Sequence, residues 1–124
     1  MKKEFIEKNL IVNLTIQFSL EVISYCEKLE EKRKFILSNQ LLKAGTSIGA
    51  NIHEAQNAES EMDFIHKMKI AAKEAEETQY WLTLCKHAEN YPSCERLINQ
   101  LPSISKVLNK IISTTKRKTE LGYN

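Results

Sequence analysis

Phe64, Met68, Ala71, Ala75, Thr78, Leu82 and Cys85 follow one another at alternating steps of four and three residues, and no other feature of the chain constrains its fold so tightly. Such steps return each side chain to one face of an α-helix, and a strand, with its period of two, cannot produce them. The spacing predicts a long helix over about 61–88 with one apolar stripe. Ser60 is placed to cap it, with Asp63 three residues on in a capping-box arrangement and Glu61 at the positive dipole end.

Three more stretches carry the same rhythm. Leu10, Leu14, Phe18, Val22, Tyr25 and Leu29 predict a first helix over about 4–29. Leu37, Leu41, Ala44, Ile48, Ile52 and Ala55 predict a second over about 34–58, after a charged connection with no Gly or Pro. Leu97, Leu101, Ile104, Leu108, Ile111 and Thr115 predict a fourth over about 94–118, capped by Ser93 after the turn Asn90-Tyr91-Pro92. Pro102 sits inside that last pattern, where a missing backbone donor predicts a kink or a restart. Gly occurs three times and Pro twice, too few turn formers for a sandwich or barrel. Four helices with short connections predict one all-α domain over 1–124, an antiparallel up-down-up-down four-helix bundle. Gly45 and Gly49 inside the second helix each cost about 1 kcal/mol relative to Ala, and close approach of another helix is the natural compensation.

Two of the helices have a second apolar row. Val12, Ile16, Leu20 and Ile23 lie well round the first helix from its main stripe, and Ile70, Trp81, Leu84 and Ala88 do the same on the third. Either a wide core absorbs them, or they face a sister chain in a homo-oligomer. Trp81 belongs at such an interface or in the core margin.

Net charge is +2, too small to name a partner, but it is unevenly spread. Residues 61–92 carry four Lys against six acids, and residues 93–124 carry six Lys or Arg against two acids. Lys2, Lys3 and Lys8 near the start and Lys106, Lys110, Lys116, Arg117 and Lys118 near the end fall at the same end of an up-down-up-down bundle. They form either a shared patch for RNA or DNA phosphates or a simple complement to the last helix dipole. Only Tyr123 offers an aromatic ring beside them, so contacts to phosphate are favoured over base stacking.

Catalytic and metal patterns are weak. His53-Glu54 opens like a zinc-binding H-E-x-x-H, but position 57 is Asn. Asp63 and His66 supply one approximate D-x-x-H pair where a di-iron bundle needs two E-x-x-H pairs and two more inward Glu. No phosphate loop, dinucleotide fingerprint or nucleophile elbow is present, so neither an enzyme nor a cofactor is expected. Cys26, Cys85 and Cys94 make an odd count with no C-x-x-C pair, which reads as free thiols in a cytoplasmic protein, the first two as small buried hydrophobes. The apolar stretch 9–20 is too short and too polar to span a bilayer, and no cleavage-site pattern follows Met1-Lys2-Lys3-Glu4.

Two stretches carry a resemblance. Residues 44–55 read Ala-Gly-Thr-Ser-Ile-Gly-Ala-Asn-Ile-His-Glu-Ala, and residues 69–84 read Lys-Ile-Ala-Ala-Lys-Glu-Ala-Glu-Glu-Thr-Gln-Tyr-Trp-Leu-Thr-Leu. The chain resembles the bacterial four-helix-bundle proteins encoded in intervening sequences of 23S ribosomal RNA genes, and is similar also to the accessory variability protein of diversity-generating retroelements. Ala55 stands where many members have Gly. The resemblance implies a homopentameric ring with no established catalytic activity, and nucleic-acid binding in the retroelement relative. Its matching positions are Ser47, Asn51 and Glu54, then Lys73, Glu74, Glu77, Tyr80 and Trp81. For Ser47, Asn51 and Glu54 the expected role is structural, in helix register or a subunit contact, with a ligand pocket as the alternative. Glu74, Glu76 and Glu77 read as a solvated face. A protein-interaction scaffold without a nucleic-acid role is the competing function.

Overall fold

The computed structural model describes residues 3–122, with side chains from Lys8 onward. Lys2 and Tyr123 lie outside the described residues, as does the side chain of Lys3. Four helices follow in order: α1 (Lys3–Glu31), α2 (Phe35–Ala55), α3 (Glu61–His87) and α4 (Glu95–Glu120). Each packs on its two sequence neighbours, and α4 closes against α1, so α2 and α4 sit on a diagonal and do not touch. No strand occurs among the described residues. This is the expected all-α bundle.

The inward stripe of α3 is the seven residues that the spacing predicts. That of α4 is the predicted one with Ile112 added. In α2, Ser38 and Gly45 join the stripe, and Leu37 is only half-buried. The first helix departs further. Leu10 is 44% exposed and Leu14 half-buried, while Ile11 and Thr15 take the core positions. Thr15 is tolerated there because its hydroxyl donates to the Ile11 carbonyl at 2.8 Å, so no polar group is left unpaired.

Gly45 and Gly49 lie one turn apart on the side of α2 that meets α1. A Cβ at Gly45 would sit 2.9 Å from both methyl carbons of Val22, and one at Gly49 would sit 3.3 Å from Thr15. The glycines are therefore where α1 side chains press against the α2 backbone, which offsets their cost in helix propensity. Ser38 and Cys26 bind the same pair of helices: the Ser38 hydroxyl donates to the Cys26 carbonyl at 3.2 Å, and the Cys26 thiol donates to the Ser38 carbonyl at 3.4 Å.

The connections replace the predicted boundaries with specific devices. α1 ends at Glu31 in a Schellman motif, with Lys34 N–H donating to Leu29 O and Arg33 N–H to Glu30 O, both at 2.8 Å. Arg33 holds the left-handed position (φ +63°) that glycine usually fills, so the boundary carried no glycine signal. α2 stops at Ala55, three residues short of the expected end, and α3 begins after the Ser60 cap, whose hydroxyl accepts from Asp63 N–H at 3.0 Å. The reciprocal bond is shifted by one residue: Asp63 accepts from Glu59 N–H. The residue capping α4 is Cys94, with Ser93 one position outside accepting from Glu95 N–H at 3.4 Å. α4 runs through Pro102 without a restart; that proline is exposed.

Candidate interaction surfaces

The side of α1 that adjoins α2 carries an uncovered apolar strip. Ile16 is 52% exposed, Leu20 60% and Ile23 41%, with Val12 half-buried beside them. Across from them α2 presents Thr46, Gly49, Ala50 and His53, and the two helices enclose an open groove of about 470 Å³. Its floor is low because Gly49 and Ala50 have little or no side chain. A wide core does not absorb this row.

On the third helix Ile70, Trp81 and Leu84 are half-buried, at the same helical phase as Glu74, which feels Lys43 of α2. The Trp81 indole donates to Glu77 at 3.2 Å and meets the exposed Tyr80 ring edge-on, with centroids 5.2 Å apart. Glu74 is half-buried nearby, and burial pushes its carboxyl above the usual range, with Glu77 adding repulsion while Lys43 and Lys73 oppose. Glu74 is thus less solvated than the sequence suggests. Of the motif residues on α2, Ser47 donates to Lys43 O at 2.6 Å, and Asn51 donates to Ser47 O at 2.8 Å. Both bonds return to their own helix. Glu54 is exposed.

The basic residues divide into groups. Lys8 from α1 and Lys118 from α4 line one cleft at the bundle end, where the Lys8 ammonium lies 4.6 Å from the centre of the Phe64 ring. Lys106, Lys110 and Arg117 are exposed along α4. From Arg96 to Thr119 the helix carries no acid. Lys116 lines a groove with Lys69 of α3, which the sequence reading pairs with the Glu74, Glu76 and Glu77 face; the approach of the two lysines crosses between helices and was not foreseen. Arg96, also unforeseen, bonds Glu21 of α1 at 2.6 Å.

Cys26, Cys85 and Cys94 are all buried, and burial pushes the thiols of Cys26 and Cys85 up to about 11. Tyr25 shares their pocket and donates to Pro92 O at 2.7 Å, tying the α3–α4 connection to α1; burial, then the neighbouring thiols of Cys85 and Cys94, raise its phenol well above the ordinary value. Among the described residues no cluster of three or more His, Cys, Asp or Glu is placed to hold a metal, and no helix is long and apolar enough to cross a membrane.

These features describe a four-helix bundle with an exposed apolar strip on α1 and a run of basic residues on α4. The chain belongs to the family of 23S rRNA-intervening sequence proteins, which it matches over residues 7–110. It is similar to a crystal structure of a protein of unknown function from the S23 ribosomal protein family of Bacteroides thetaiotaomicron VPI-5482, at 40% identity over 86% of this chain and 98% of that one, with a TM-score of 0.81. None of the curated proteins matches the chain. Neither the family nor the structural neighbour carries an assigned enzymatic activity.

Proposed function

We propose that this protein is a non-enzymatic, cytoplasmic homo-oligomer, pentameric as its resemblance implies, that presents a basic outer surface to the phosphates of structured RNA or DNA. The observation that carries the reading is the exposure of Ile16, Leu20 and Ile23 in one strip. Three large aliphatic side chains aligned beside a groove are the pattern of a surface that another protein covers. Burying what remains exposed of each would contribute about 1 kcal/mol before the costs of association.

The positions of the two strips favour a ring. One lies between α1 and α2, the other between α2 and α3, so they are different surfaces on either side of one helix. Contacts between unlike surfaces are heterologous, and they close into a ring when the rotation from copy to copy divides a full turn. α4 lies diagonal to α2, away from both strips. An assembly built around the flanks of α2 leaves α4, which carries no acid between Arg96 and Thr119, facing outward, and repetition of that helix multiplies a charge that is modest in one copy. Lys106, Lys110, Lys116, Arg117 and Lys118 carry this surface, with Lys8 at its end and Lys2 and Lys3 preceding it in sequence.

The test is a salt titration of binding to mixed-sequence RNA and DNA. Affinity should fall steeply and linearly on a log–log plot, with little sequence preference. A protein that assembles but binds neither nucleic acid at low salt would instead be a scaffold for another protein.

A further inference from the structure

The groove between the start of α3 and the end of α4 is unlike the rest of the basic surface. Met62, Ile65, His66 and Lys69 line it from α3, and Lys116, Thr119 and Glu120 from α4, enclosing about 360 Å³. That volume is within the range of small-molecule sites. Met62 is 75% exposed over this groove, and no helix neighbour covers it. Two lysines from different helices converge at its edge. Lys69 and Lys116 both line this groove, and the nearness of the Lys116 ammonium lowers the Lys69 ammonium below its ordinary value. An ammonium cannot accept a hydrogen bond. The pair is therefore unfavourable alone and becomes favourable when an anion lies between them.

We infer that this groove is a binding site for one unpaired nucleotide, with its phosphate held between Lys69 and Lys116 and its base laid against His66, Met62 and Ile65. The proposal rests on the nucleic-acid reading above and adds to it a preference for single strands. A duplex presents phosphates but keeps its base faces stacked, so it can use the lysines and not the apolar wall. An extruded or single-stranded base can use both, and imidazole rings are among the platforms that such bases occupy. The Thr119 hydroxyl is already engaged with Glu61 at 3.0 Å, so it does not compete for the phosphate. Glu120 is the one acid among the lining residues, against two lysines. The same placement keeps the groove off both apolar strips, so it stays open in the assembly.

The experiment uses the full chain and a fluorescent single-stranded oligouridylate, with a duplex RNA of equal length as the second probe. K69Q/K116Q should weaken single-strand binding about tenfold and make its salt slope shallower by about 0.7, the value for one phosphate contact. M62S should weaken the single strand and leave the duplex unchanged. Methyl NMR gives a direct reading: on addition of oligouridylate the Met62 methyl shifts, while that of buried Met68 does not. If the wild type binds both probes and neither variant alters the single strand, the groove is not a site, although the wider surface remains one. Equal losses on both probes in K69Q/K116Q, with M62S silent, would remove the base from the proposal. A wild type that binds neither probe at low salt would overturn this site and the nucleic-acid reading together.

Discussion

The methyl groups of Val22 occupy the space that a side chain on Gly45 would need, 2.9 Å from where its Cβ would stand. Both residues are fully inside, one on α1 and one on α2. Gly45→Ala gains about 1 kcal/mol of helix propensity but forces these helices apart or twists Val22, at about 1–3 kcal/mol. The net expectation is a loss of up to about 2 kcal/mol, read as a lower urea midpoint. Adding Val22→Ala should give a double variant more stable than the sum of the single effects requires, because the new methyl enters the space vacated.

Arg33 offers the opposite case. It adopts φ +63° to complete the Schellman turn after α1, a conformation that costs a residue with a Cβ about 1 kcal/mol or more. Arg33→Gly should stabilise the protein by several tenths to about 1 kcal/mol, seen as a higher midpoint with unchanged slope. Asn90, at φ +65°, should gain less from the same exchange, since asparagine tolerates this region.

The buried thiols set an alkaline limit. For Cys26 and Cys85 the native state holds its protons up to about pH 11, whereas the unfolded chain releases them near 9. Below the unfolded value both states are protonated and stability is independent of these groups. As pH rises from about 9 to 11 the unfolded state binds fewer protons than the native one, so stability falls. Denaturation midpoints should be flat from pH 7 to about 8.5 and then decline. In Cys26→Ala/Cys85→Ala the decline should be shallower. The native thiols should react with a disulfide reagent only as fast as the protein opens.

A charge in the apolar strip separates assembly from folding. Leu20 is 60% exposed in the single bundle, so Leu20→Asp should cost the protomer only about 1–1.5 kcal/mol and leave it folded. In a covered interface the same carboxylate would be buried without a partner. Leu20→Asp should retain the helical circular dichroism of the wild type and sediment as a 14.3 kDa species.

Where a helix is governed by one continuous stripe, as α3 is from Phe64 to Cys85, spacing alone identified the core. On α1 it did not, because Leu10 and Leu14 look more apolar than Thr15 and the sequence does not reveal that Thr15 can satisfy its hydroxyl on its own helix. Arg33 concealed a turn for a related reason: the backbone geometry that signals glycine was imposed on another residue. The second apolar rows were visible, and Ile16, Leu20 and Ile23 lie where the pattern puts them. The pairs that cross between helices, Lys69 with Lys116, Glu21 with Arg96 and Ser38 with Cys26, were not legible. They depend on the axial register of one helix against another, which periodicity along a single helix does not encode.

If sister chains cover the strips beside α2, sedimentation equilibrium of the wild type at micromolar concentration will report their number. A single species of five times the 14.3 kDa protomer mass is expected. A mass of 14.3 kDa that does not rise with concentration would contradict it.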